Sequence, residues 1–137
     1  MWVVYALLSA VFAAVTSILV KIGISSVDSS LATAIRTLVV LVLSWAVVFA
    51  TGKHGGIANI GQKSLLFLAL SGIATGLSWL CYFRALQIGE ASKVIPLDKF
   101  SVVIGIALAF AVLHEPLNLK TIIGGILITA GTIIIVL

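Results

Sequence analysis

Three ionisable side chains, Arg36, Asp98 and Lys99, stand inside stretches of this sequence that are otherwise almost free of charge. A Lys, Arg or Asp at the middle of a membrane-spanning helix costs about 2.5 to 3.5 kcal/mol on insertion scales, so such groups normally turn toward a cavity or a partner. A carboxylate in that setting can exchange a proton or a cation, and a guanidinium or ammonium can hold an anion. Asp98 is accordingly the first candidate for a coupling carboxylate, or for a partner to Arg36, while Arg36 and Lys99 are candidates to hold an anionic group. Two plainer readings stand beside these. Arg36 lies five residues inside an apolar segment that starts at Leu31, about 7 Å along a helix, within reach of the headgroups for a snorkelling side chain. Pro96 lacks an N–H and disfavours helical geometry at Ile95, which predicts a helix starting near Pro96 with Asp98 in its first turn, where a carboxylate is favoured. Neighbouring helical residues point about 100° apart, so Asp98 and Lys99 are expected not to pair with each other and each to need its own partner.

Hydroxyls follow the same spans. Ser71, Thr75, Ser78 and Tyr82 repeat at i, i+4, i+7 and i+11, with Trp79 beside them, and Asp98, Ser101 and Gly105 share a face at i, i+3 and i+7. Thr33, Thr37 and Ser44 share a face next to Arg36, and Ala6, Ala10, Ala13, Ser17 and Lys21 form a small-residue stripe in the first span. Such faces either line an enclosed polar space or let helices pack closely, since small residues permit near approach and hydroxyls bond across helices. Thr121, Gly124, Gly125, Thr129 and Gly131 form a small-residue ridge in the last span that reads as a packing or dimerisation face, and Gly72 and Gly76 read the same way.

The elements that must position these residues follow from composition. Of 137 residues, 62% are hydrophobic and 9% charged, against about 25% charged in an ordinary soluble domain. Five segments are long enough, at about 20 apolar residues, to cross a bilayer: Trp2 to Val20, Leu31 to Thr51, Leu65 to Phe83, Val94 to Leu113 and Thr121 to Leu137. The breaks between them, at 25–30, 52–64, 87–92 and 114–118, are rich in Gly, Ser, Asn and Pro. An all-α integral membrane fold forming a single domain over 1–137 is expected. The first segment has no basic region before it and reads as a retained span rather than a signal peptide. Glu115, next to Pro116, is expected to be a turn or cap residue of the fifth helix. The eight Lys and Arg are scattered singly, which excludes a nucleic-acid footprint, and Cys81 is the lone cysteine, so no internal disulfide forms. No HExxH, CxxC, GxGxxG or phosphate-cradling loop is present, and neither an enzyme nor a metal or cofactor site is expected.

Orientation in a membrane follows the excess of Lys and Arg in cytoplasmic loops. Lys53, Lys63 and Lys120 fall on one side and Lys21, Arg84 and Lys93 on the other, so the bias is nil and both orientations are expected.

The runs WLCYFRALQIGEASKVIPL at 79–97 and LHEPLNLKTIIGGILITAGTIIIVL at 113–137 resemble the EamA family of the drug/metabolite transporter superfamily. The matching residues are Tyr82, Ala85, Leu86, Gly89, Ala91, Ser92, Val94, Pro96, Leu97, Glu115, Ile123, Gly124, Ile128 and Gly131. The resemblance implies one five-helix repeat where the usual family member has two in inverted orientation, with the first four helices around a cavity and the fifth toward the junction. The positions of Asp98, Lys99 and Ser101 are commonly apolar or proline in that family. The combined expectation is a secondary transporter of a small metabolite or drug-like solute in the cell (inner) membrane, surrounded by lipid. It would work by alternating access as an antiparallel homodimer, or paired with a second five-span chain. The alternative is a non-transporting membrane subunit that packs through its small-residue faces.

Overall fold

The computed structural model of the chain describes residues 1–116 and 118–137; Leu117, in the connection expected at 114–118, lies outside them. Among the described residues six α-helices follow one another: α1 (Trp2–Gly23), α2 (Ser29–Ala50), α3 (Gln62–Ile88), α4 (Ala91–Asp98), α5 (Ser101–Leu113) and α6 (Leu119–Val136). Five helical runs are long and apolar enough to cross a membrane, with Ala91–Leu113, which contains α4 and α5, counting as one. No strand occurs among the described residues. The long connection between α2 and α3 holds a 3₁₀ helix, Lys53–Asn59.

Among the described residues only three apolar side chains are buried, Ile24, Phe83 and Leu86. Large side chains such as Ile73, Leu127 and Ile134 lie exposed along the spans. Fully burying a Leu or Ile is worth about 1.5 to 3 kcal/mol relative to water, so dozens left in water would outweigh any stability a chain of this size could have. Hydrocarbon must take that surface, and this is a multi-pass membrane protein.

The chain divides into two compact units, one of residues 1–18 with 88–137 and the other of residues 19–87. In the second, all three buried apolar residues gather where α3 ends. The last carbonyls of a helix have no partner of their own, and Lys21 Nζ donates to one of them, Leu86 O, at 2.6 Å. Gln87 Nε2 donates to Ile24 O at 3.3 Å and Val27 O at 2.9 Å, and Arg84 Nη1 donates to Gln87 Oε1 at 2.8 Å. Lys21 and Gln87 thus satisfy carbonyls of a helix end and of the α1–α2 connection, and Arg84 holds the Gln87 amide in place. α2 begins because Asp28 accepts from the free amides of Ser30 (2.9 Å) and Leu31 (3.2 Å). It ends where Gly52 takes the left-handed conformation (φ 68°) that glycine tolerates best.

In the first unit α6 packs on both α4 and α5. The buried Thr132 of α6 donates to Pro96 O, near the end of α4, at 3.4 Å. Asn118, not Glu115, caps α6: its Oδ1 accepts from Thr121 N at 2.8 Å and from Thr121 Oγ1 at 3.0 Å. Asparagine is a stronger N-cap than glutamate because its short side chain reaches back to the first free amides. Glu115 lies in the turn before it, with its N–H donating to Ala109 O.

The amides of Leu31 first and Ser30 second hold the Asp28 carboxyl below its ordinary value of 3.8. A carboxyl whose folded value is depressed stabilises the fold fully above its unfolded value, and that contribution is lost as pH falls through the folded value. Asp28→Asn, which keeps the cap, should therefore flatten the acid limb below about pH 4 in a thermal melt against pH, while Asp28→Ala should lower the midpoint at neutral pH as well.

Candidate functional site

In the 19–87 unit α2 and α3 face each other across an open groove of about 480 Å³. α2 contributes Thr37, Ser44 and Trp45, and α3 contributes Ser71, Thr75 and Trp79. The rest of the lining is Val40, Leu41, Val48 and Leu68 with Gly72 and Gly76. A Cβ added at either glycine would meet nothing within 4 Å. Within the chain these two residues line the groove and leave it open at their positions. Gly124, Gly125 and Gly131 of α6 likewise have open space where a Cβ would stand, although Gly125 is buried and Thr129 half-buried.

The hydroxyls of the groove have mostly spent their protons. Thr37 donates to Thr33 O (2.7 Å), Ser44 to Val40 O (2.7 Å) and Thr75 to Ser71 O (2.9 Å), each four residues back in its own helix. A hydroxyl has one proton and two lone pairs, so these three present acceptors to the groove. The stripe along α3 divides: Ser71 and Thr75 line the groove, whereas Ser78 and Tyr82 do not. The wall of α3 is centred a fraction of a turn away, on Leu68, Thr75 and Trp79. The ring of Tyr82 lies 6.4 Å from that of Phe83.

Arg36 sits beside this wall. Its guanidinium carbon is 4.1 Å from the centroid of the Trp79 ring and 5.3 Å from that of Phe83. Residues four apart stack on one helix face, so Trp79 and Phe83 make an aromatic shelf, and Phe83 is 1% exposed. The cation is thereby held against α3 instead of extending along α2 to a headgroup. Its Nη1 is buried with no hydrogen-bond partner, and the one acid of the same unit, Asp28, is spent on the cap of α2. A cation over an aromatic face gains about 0.5 to 2 kcal/mol, less than the cost of placing the charge in a span. The missing acceptor adds about 1 to 3 kcal/mol.

Asp98, Lys99 and Ser101 belong to the other unit, where two expectations are corrected. The helix starts not at Pro96 but at Ala91, behind Glu90, with Pro96 inside α4 and Asp98 as the last residue. Proline biases the residue before it away from helix without forbidding it, and its cost is confined to the amide that would have met Ser92. The helix breaks after it: Lys99 N bonds Pro96 O (3.1 Å), Phe100 N bonds Leu97 O (3.0 Å) and Val102 N bonds Lys99 O (3.0 Å), each spanning three residues instead of four. Asp98 therefore lies at the carbonyl end of α4, not in a first turn. Secondly, Asp98 and Lys99 do pair, with Nζ to Oδ2 at 3.3 Å. The 100° separation applies within a helix, and Lys99 has already left it. The side chains are 34% and 54% exposed, and the pair leaves the break with no net charge. Ser101 opens α5 and is exposed.

Phe83 was missing from the sequence candidates, although its spacing of four from Trp79 was the signal for it. Trp45, also absent from those candidates, lines the groove, and its ring lies 5.7 Å from Phe49. Among the described residues no cluster of His, Cys, Asp or Glu is arranged to hold a metal ion.

A double-mutant cycle over Arg36→Met and Trp79→Leu, read by unfolding in detergent, should return a coupling of about 0.5 to 2 kcal/mol. Strictly additive effects would show that the stack contributes nothing.

The EamA-like transporter family matches residues 1–137. A Sinorhizobium protein named as an uncharacterized transporter in the cobO 3′ region is 46% identical over 134 residues, covering 98% of this chain and 95% of its own. An uncharacterized protein of Methanocaldococcus jannaschii is 34% identical over 83 residues, 61% of each chain. No solved structure matches. With five apolar helices, a hydroxyl-lined groove and this match along its whole length, the chain belongs to the EamA-like transporter family.

Proposed function

We propose that the chain is a secondary transporter of a small organic solute and that the α2–α3 groove forms part of the solute site. The observation that carries this reading is the groove itself: a cavity of about 480 Å³ falls within the size of ordinary small-molecule pockets, with two tryptophans and several hydroxyls on helices that otherwise face lipid. The working unit is an antiparallel dimer of identical chains in the inner membrane, each chain one repeat of a single domain. Three facts support it: the equal Lys and Arg counts on the two sides, the near absence of a core within one chain, and a transporter-named relative of nearly equal length. Two oppositely inserted copies reproduce the relation of inverted repeats, which rock about a shared midplane site to expose it to either side. Asp98 is the coupling carboxylate in this scheme, because protonation releases Lys99 and changes the charge at the α4–α5 break.

Two measurements test the proposal. A single cysteine in the 52–64 connection, in a Cys81→Ser background, should react with an impermeant reagent from both sides of sealed vesicles; reaction from one side alone rules out dual insertion. Gly76→Leu projects a side chain into open groove and replaces a poor helix former, so the unfolding midpoint should hold or rise by up to about 1 kcal/mol while solute flux into liposomes falls at least tenfold. Unchanged flux would remove the groove from the transport path.

A further inference from the structure

The groove and the shelf share one residue. Trp79 lines the groove with one part of its surface and carries the Arg36 guanidinium on its ring, and Thr37, the next residue after Arg36, lines the groove as well. Both walls therefore offer acceptors, the lone pairs of Thr37 and Ser44 on α2 and of Thr75 on α3, and against Trp79 stands a cation with an N–H that nothing accepts. Lys99, the other cation considered for an anion, already has Asp98.

The one acid of the 19–87 unit does not supply the missing acceptor: Asp28 caps α2. A buried guanidinium fork is matched best by a carboxylate, which accepts two parallel bonds.

We infer that the transported solute is a small organic carboxylate with a flat apolar body and a hydroxyl or amino donor, whose acid group binds Arg36 while its body lies against Trp79 and Trp45 in the α2–α3 groove. The inference rests on the transport reading of this groove and names its substrate class. The ring, the donor and the acid each have a counterpart: tryptophan faces and Leu41 and Leu68 for the body, threonine and serine oxygens for the donor, and the Arg36 N–H for the acid. Because that N–H is covered in this structure, taking up a carboxylate requires the Trp79 ring to shift. Trp79 is thus a built-in reporter.

The experiment uses the full chain in uncharged detergent, with Trp2→Phe so that emission comes only from Trp45 and Trp79, both of which line the groove. 4-Hydroxybenzoate should change that emission saturably. The isosteric neutral amide, 4-hydroxybenzamide, and the cation 4-hydroxybenzylamine should bind at least tenfold more weakly. Arg36→Gln should cost the acid at least tenfold, and Arg36→Lys, which keeps the charge but not the fork, should fall between. Equal binding of acid and amide by the unmodified Arg36 protein overturns the inference even if Arg36→Gln fails to fold. Phosphatidylglycerol micelles form the second arm: if they, and not 4-hydroxybenzoate, move the emission, a lipid headgroup occupies Arg36 and the inference is wrong. Liposomes separate the two levels. Flux of amines or neutral solutes that Arg36→Gln leaves intact overturns the anion assignment and spares the transporter. If no solute moves while 4-hydroxybenzoate still binds through Arg36, the site stands and the transport reading falls.

Discussion

A polar group in hydrocarbon has no water to turn to, and the whole arrangement of this chain follows from that constraint. Backbone amides and carbonyls are met inside the helices, and what the helix ends leave over must be met by side chains. Asp28 and Asn118 meet the amides that open α2 and α6. Lys21 and Gln87 meet the carbonyls at the end of α3 and in the turn before α2. The serines and threonines follow the same rule on a smaller scale. Ser17, Thr33, Thr37, Ser44, Thr75 and Thr129 all return their protons to a carbonyl four residues back. A hydroxyl that has done so can face either lipid or a solute without an unmet donor.

Arg36 is the exception that gives the rule its use. Its buried Nη1 has no hydrogen-bond partner, and two aromatic rings meet its charge only in part. Residues that break such local rules are expected at functional sites. The Asp98–Lys99 pair solves the same problem by mutual neutralisation. It does so where the apolar span is interrupted, and interrupted helices are where transporters place ion and solute contacts. The break itself needs no charged residue to form. Pro96 withdraws one amide, and the following bonds tighten from four residues to three.

The sequence made the five spans legible because crossing a bilayer demands some 20 apolar residues in a row, a signal that no local preference can hide. It located them by their apolar cores and so stopped short at the polar ends. α3 runs on from Phe83 to Ile88 because Arg84 and Gln87, polar on their face, are used to bind the turn before α2. The fourth span was misread at its start, since the proline bias on Ile95 was given more weight than the helix-favouring run from Ala91. Pairing of Asp98 with Lys99 was missed for a related reason: the helical angle was applied across a residue that is not helical. Helical spacing placed Ser71 and Thr75 on a common face. It could not say that the face opposite α2 is turned toward Trp79, because rotation about the helix axis is set by the partner and not by the helix.

The small core has a consequence for where selectivity resides. In a soluble transport protein a pocket is carved from a packed interior, and its walls are held by burial. Here α2 and α3 bury almost nothing between them beyond the shelf and the knot at the end of α3, so the groove, whose α3 lining ends at Trp79, is left open along its length. Its width is then set by what else lies against it, whether lipid, solute or a second copy. In the proposed transport scheme, a groove anchored beside Arg36 and open elsewhere would discriminate by charge at that end and tolerate variation in the body of the solute. Its precision would be concentrated in one guanidinium, one indole and the four-residue spacing that places Phe83 beside them.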